Sequence, residues 1–237
     1  MGEKNSSPVA VAACEINKSN MKFVALVSGG KDSLFSIVKA KEYGHELVCI
    51  ANLAPTDSSI VELNSFMYQS ACHNLVPLLS ECLCVPLYRQ PINGKAIDQS
   101  LSYPDVTVGD EVEDLYNLLC MVLSKDPDIE AISTGAIAST YQRNRVEDVC
   151  SRLRLQSLCY LWQRDRSHLL DEMIKNGLNA VLVKVAGAGL IPHKHLGKSL
   201  EELNLELRRL NQKYGLDLCG EGNIIHLILI LILIIIH

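Results

Sequence analysis

Short β-rich apolar runs alternate along the chain with longer stretches in which apolar residues recur at helical spacing. The strand candidates are residues 22–27, 46–52, 85–89, 129–134, 156–160 and 180–185. Helical patterns fill the gaps at 34–43, 63–83, 112–124, 141–153, 168–175 and 200–214, several of them closing at Asn or Gly. This alternation predicts an α/β fold, a parallel sheet covered by helices on both faces. In open sheets of this type ligands sit beyond the carboxyl ends of the strands, so chemistry is expected in the loops that follow them.

Composition narrows the picture. With 237 residues, 48% hydrophobic and 21% charged, disordered, collagen-like and coiled-coil readings are excluded. The net charge of -5 lacks the basic excess that a polynucleotide requires, so no nucleic-acid partner is expected. Nine cysteines, an odd number without C-x-x-C spacing, predict a reducing, cytoplasmic setting and no structural zinc. His193 and His195 flank Lys194 without a recognisable third ligand and are expected in a solvated loop.

The two ends differ from the middle. Residues 1–20 read as a disordered extension, with Met21 an alternative start. Gly2 and Ser6 fit a myristoylation pattern, but Glu3 argues against acylation. The run IIHLILILILIIIH at 224–237 is too short to span a bilayer, so no membrane partner is expected. Uncharged and lacking Pro, it is an aggregation hazard unless it is buried as a strand.

Ser28-Gly29-Gly30-Lys31-Asp32-Ser33 follows the first strand candidate and opens the first helix. Adjacent glycines permit positive φ and close backbone approach, while helix-start N–H groups and the Lys31 ammonium favour an anion such as pyrophosphate. The spacing is not that of the G-x-x-x-x-G-K-[ST] loop. The plainer alternative is a tight strand-to-helix turn capped by Ser28 or Asp32.

That segment is similar to the signature of the PP-loop ATP pyrophosphatases. Further motifs narrow the likeness: Met67-Tyr68-Gln69, Pro86-Leu87-Tyr88-Arg89, the acidic run from Gly109 to Leu115, Gly135-Ala136-Ile137, Tyr141-Gln142-Arg143, Tyr160-Leu161-Trp162 and Lys194-His195-Leu196-Gly197-Lys198. From about Met21 to Gly222 the chain resembles the diphthine–ammonia ligase family. The resemblance implies a Rossmann-like, adenine nucleotide alpha hydrolase-like sheet with a smaller C-terminal substrate region. It divides the chain into an ATP-binding domain at 21–160, a substrate region at 161–222 and an atypical apolar tail at 223–237. The implied reaction is ATP-dependent amidation of diphthine on elongation factor 2, through an acyl-adenylate attacked by free ammonium. ATP and Mg²⁺ are the implied cofactors.

Under this resemblance Ser28, Gly29, Gly30, Lys31, Asp32 and Ser33 hold the nucleotide phosphates. Lys31 and Asp32 act catalytically, and Asp32 is also the expected metal ligand. Ala51 and Asn52 would lie beside base and ribose, or be a plain strand end, and the small Gly135 and Ala136 would let a ligand approach the backbone. Asp110 and Glu113 fit a capping box. Glu111 and Asp114 are unexplained by that cap and are expected to serve the site, binding Mg²⁺ or ammonium. Tyr141, Arg143, Arg145, Trp162 and Glu221 are the expected substrate-binding residues. The arginines either clamp an anion or pair along the helix with Glu147 or Asp148, and Trp162 either walls the site or fills core.

After Gly222 the family pattern of a further Gly, a Glu-Tyr-Glu-Thr strand and an Asp-Cys-Pro turn gives way to Asn223-Ile224-Ile225 and the apolar run. A catalytically impaired nucleotide-binding variant is therefore one alternative. Another is a PP-loop tRNA-modifying enzyme, although the cysteine pairs and basic surface of thiolating members are missing.

Overall fold

Phe23 and Ala25 of strand β1 (Lys22–Leu26) face one side of a sheet and Val24 the other, and helices cover both sides. The computed structural model describes residues 20–220 and 229–231, apart from 58, 61, 62, 64, 71, 72 and 186. On the first side, Ile50 of β2 (Glu46–Ala54) and Ala131 of β4 (Ala131–Ser133) join Phe23 beneath helices α1 (Lys31–Glu42) and α2 (Val76–Leu83). On the other, Cys49, Ala51 and Ile132 join Val24 beneath α3 (Glu111–Lys125) and α4 (Thr140–Leu153). Successive strand residues point to opposite faces, so each strand feeds two cores.

With β3 (Leu87–Pro91) and β5 (Gln156–Leu158), these strands form one parallel sheet in the order β3-β2-β1-β4-β5. The chain winds outward from β1 in one direction and then the other. The switch point, where open sheets of this class bind ligands, therefore lies at the carboxyl ends of β1 and β4.

Two of the expected elements differ in the structure. The helix expected over 63–83 is helical only from a short 3₁₀ turn at His73–Leu75 through α2. Pro77 sits in the first turn of α2, where a missing N–H costs nothing, and thereby sets its start. Upstream, the Leu63, Met67 and Tyr68 amides donate to side chains and not to a helical ladder. The sixth strand candidate shortens to β6 (Ala180–Leu182) and stays out of the parallel sheet. One of its edges bonds residues 197–199, through Leu182 N–H to Lys198 O and Gly197 N–H to Leu182 O. Its other edge pairs antiparallel with β7 (Leu229–Leu231), the part of the apolar tail that is described.

The C-terminal region packs α5 (Arg166–Lys175), β6 and α7 (Leu200–Tyr214) into a third core that also takes Phe35 from α1 and Ile137. α7 opens with a reciprocal cap between Ser199 and Glu202 and closes on Gly215 at φ +70°. Lys39 of α1 bonds Glu172 of α5 at 2.7 Å, and Arg164 meets the same carboxylate at 2.7 Å. His195 departs from the solvated loop expected of it. It is buried at the end of the short α6 (Pro192–His195), where its Nδ1 accepts from Ile191 N–H at 2.7 Å. The expected N-terminal extension and its acylation pattern, Glu221, and the tail apart from β7 lie outside the described residues, Asn20 excepted.

Candidate active site

The loop after β1 is built by its own side chains. Ser28 N–H donates to Ser33 Oγ, Gly30 N–H donates to Ser28 Oγ, and Ser33 Oγ donates to Gly30 O at 2.9 Å. Gly29 takes φ +85°, the left-handed region that glycine enters without strain. Neither Ser28 nor Asp32 caps α1, contrary to the plain-turn alternative. Gly30 is the N-cap and makes no side-chain cap bond. That leaves the positive end of a twelve-residue helix aimed at the switch point.

Lys31 and Asp32 stand at this helix start. The Lys31 side chain is almost fully buried, and its ammonium donates to Asp32 Oδ2 at 2.7 Å and to the carbonyl of Cys219. Asp32 Oδ1 is buried without a hydrogen-bond partner among the described residues. Burial raises the Asp32 carboxyl above the usual carboxylate range, although Lys31 pulls it the other way. One carboxylate oxygen is thus engaged and the other is open to a further donor or a cation.

Neighbouring strands close around the loop. Asn52 Nδ2 donates to Val27 O at 2.8 Å, tying the ends of β1 and β2 together, while its buried Oδ1 has no partner among the described residues. Ala51 is fully buried, and its carbonyl accepts from Val27 N–H. Ser133 Oγ meets Ser36 Oγ at 3.0 Å, fastening β4 to α1. A Cβ on Gly135 would lie 2.6 Å from Asp32 C and Ser33 N. Protein backbone, not only a ligand, therefore requires glycine there. Ala136 is buried beside it and donates to Thr134 Oγ1.

The acidic start of α3 resolves into separate tasks. Asp110 caps the helix by accepting from Val112 N–H at 3.0 Å, and its second oxygen accepts from Ile97 and Asp98 N–H. The expected capping box with Glu113 does not form. Glu113 instead meets both terminal nitrogens of Arg152, at 2.8 and 2.7 Å, a bidentate pairing stronger than a reach back to the cap. Glu111 is buried, accepts from Ser65 Oγ at 2.6 Å and from Met67 N–H at 3.1 Å, and carries a pKa raised by that burial. Its carbonyl accepts from Tyr68 OH at 2.8 Å. The next residue, Gln69, brings Oε1 to within 3.1 Å of the position a Cβ on Gly30 would occupy. Glu111 thus holds the strip that runs to the phosphate loop. Asp114 Oδ2 accepts from Asn93 and Gly94 N–H, both at 2.8 Å.

On α4 the two arginines separate. Arg145 is completely buried: it donates to Asp98 O, Ser100 O and Tyr141 O and lies 3.4 Å from the Tyr141 ring centroid. Arg143 is partly exposed, lies 4.7 Å from the Trp162 ring centroid and pairs with Glu147 at 3.6 Å. Trp162 is only half-buried and belongs to none of the cores. Cys159 Sγ extends this group, with Ser157 Oγ at 2.9 Å and Glu147 at 3.8 Å.

Ser65, Gln69 and the Cys219 carbonyl are participants that residue-type reasoning gave no role. Ser65 and Cys219 act through or upon backbone groups, which leave no mark in composition or spacing. Among the described residues no cluster of three or more His, Cys, Asp or Glu could hold a metal, and no helix is long and apolar enough to cross a membrane. The described cysteines are all free thiols.

Residues 21–157 match the diphthamide synthase N-terminal domain. A diphthine–ammonia ligase of Schizosaccharomyces pombe is 54% identical over 202 residues, 85% of this chain and 33% of that protein. Its counterpart in Danio rerio is 51% identical over 203 residues, 85% of this chain and 79% of the relative. The human one is 48% identical over 204 residues, at 85% and 76% coverage. The chain therefore spans about a third of the fission-yeast protein and over three quarters of the vertebrate ones.

Proposed function

Since the chain belongs to the diphthamide synthase family, whose diphthine–ammonia ligases form carbon–nitrogen bonds, we propose that it uses ATP to amidate the diphthine carboxylate of elongation factor 2. The observation that carries this reading is the glycine-bent loop at the switch point, with Lys31 and the start of α1 converging beside it.

In this reading the diphthine carboxylate attacks the α-phosphorus of ATP, pyrophosphate leaves, and ammonia displaces AMP from the resulting acyl-adenylate. Negative charge grows on the departing pyrophosphate. Lys31 and the α1 amides oppose that charge, and their effect is larger in the transition state than in the ground state. Preorganised donors accomplish this without reorganising as the bond breaks.

Mg²⁺ characteristically binds through one or two carboxylates together with substrate phosphates. Asp32 fits that habit with its open Oδ1, and Mg²⁺ there would supply further charge to the phosphates. Asn52 is suited to the nucleoside, since its Oδ1 is a buried acceptor in want of a donor. For the acceptor, Arg143 over Trp162 offers a cation and an aromatic wall, whereas both terminal nitrogens of Arg145 already serve carbonyls. Glu111 and Asp114 act through the loops they hold and not by touching reactants. Residues 21–160 form the ATP-binding part in this scheme and 161–222 the substrate part.

Incubation with ATP, Mg²⁺, ammonium and a diphthine-bearing acceptor tests the proposal. AMP and pyrophosphate released only with the acceptor support it; release indifferent to the acceptor would refute it.

A further inference from the structure

Residues 92–110, between β3 and α3, form neither helix nor strand, a length uncommon in compact domains unless the loop has work to do. This loop is tied down from within. Asp110 accepts from the Ile97 and Asp98 amides, Arg145 holds the carbonyls of Asp98 and Ser100, Asn144 Nδ2 donates to Leu101 O at 2.7 Å, and Tyr103 OH bonds Glu113 and Thr107 N–H.

A loop so fixed nevertheless turns apolar side chains outward. Ile97 is 55% exposed, Leu101 68%, Val106 58% and Val108 91%. Phe66, 56% exposed, joins them because its ring lies 6.0 Å from that of Tyr141, whose hydroxyl reaches Asp98 O at 3.3 Å. Ile97 closes the patch onto Gly109, its Cδ1 3.5 Å from where a Cβ there would stand. Grouped exposed apolar side chains on a rigid frame mark a protein-binding surface, since a preorganised surface loses little freedom on binding.

Position identifies the occupant. The loop follows β3, so it stands at the carboxyl ends of the strands, as the phosphate loop does. Asp110 is shared between this loop and α3, and the neighbouring Glu111 holds the strip reaching Gln69 and Gly30. The charges of the segment are few and balanced: Asp98 faces Arg145 at 3.9 Å, and Asp105 and Lys95 are both exposed, so the apolar side chains dominate this surface. Diphthine is a residue within a polypeptide, so its carrier must rest on the rim of the site while the side chain enters.

Resting on the ligase reading above, we propose that residues 97–108 with Phe66 form the docking surface for the diphthine-bearing protein, through an apolar contact. The test is a Leu101→Ser, Val108→Ser double variant, whose exposed sites leave the fold intact, as a thermal melt checks. Binding of the purified diphthine-bearing protein to the immobilised variant should weaken about tenfold or more, the scale of losing interface anchors. Amidation of a short diphthine-containing peptide should keep the parent rate. Unchanged binding, an equal loss on peptide and protein, or a parent dimer that the variant dissolves would each overturn the proposal. A parent that binds the protein but amidates neither acceptor would count against the ligase reading, while weakened binding by the variant would still support the docking surface.

Discussion

Lys31 and Cys219, 188 positions apart in the chain, meet at the phosphate loop, where the lysine ammonium donates to the cysteine carbonyl. The contact fastens the turn after α7 to the start of α1. It also places a backbone acceptor in competition with any phosphate for the same ammonium.

Replacing Lys31 by Ala should lower turnover by ~10²- to 10³-fold, the scale for removing one preorganised donor to a developing anion. The melting temperature should also fall, because Asp32 Oδ2 and the Cys219 carbonyl lose a shared buried donor. Pyrophosphate release at saturating ATP and a thermal melt measure the two effects. Unaltered turnover would reduce the loop to a structural turn.

Gly135→Ala places a methyl group 2.6 Å from the backbone of Asp32 and Ser33, which must move apart from β4 to admit it. A cost of about 1–3 kcal/mol is expected, as for other overpacked sites, together with weaker ATP binding. Calorimetric titration with ATP separates this from a merely local strain, which would leave nucleotide affinity untouched.

Glu111 and Asp114 should part company on substitution. Glu111→Ala frees the strip carrying Met67 and Gln69 and should raise the KM for ATP more than it lowers kcat. Asp114→Asn retains an acceptor for the Asn93 and Gly94 amides and should stay close to parent activity. Loss of kcat in Asp114→Asn at unchanged stability would instead show a direct part for that carboxylate.

The Glu113–Arg152 pair predicts a pH dependence. Its hydrogen bonds to Arg152 hold Glu113 below the usual carboxylate range. The folded protein thus favours the ionised form, so the pair stabilises above the unfolded pKa, about 4.3, and the benefit disappears as pH falls through the depressed folded value. Glu113→Gln should cost about 1–2 kcal/mol at pH 7 and progressively less below pH ~4.3. A stability difference that stays constant down to acid pH would contradict this.

The sheet and most of its helices were legible because β1, β2 and β4 are short, nearly continuous apolar runs, buried on both faces, while α1, α3, α4 and α7 carry apolar residues at helical period. The SGGKDS loop was legible because its glycines and lysine fall between a strand and a helix. Residues 63–72 misled because their apolar spacing is helical, whereas tertiary partners such as Glu111 capture their amides. β6 misled because strand-like composition does not say which edge a strand will find. Buried Arg145 was indistinguishable from its neighbour Arg143, since only the fold decides which guanidinium meets carbonyls and which meets Trp162.

The most direct test is the mass of the diphthine-bearing acceptor after incubation with this chain, ATP, Mg²⁺ and ammonium. Conversion of one carboxyl to a carboxamide, matched by equal AMP and pyrophosphate and lost in Lys31→Ala, is the expected result. An acceptor of unchanged mass beside a chain that still binds ATP would contradict the ligase assignment and leave a nucleotide-binding protein without this activity.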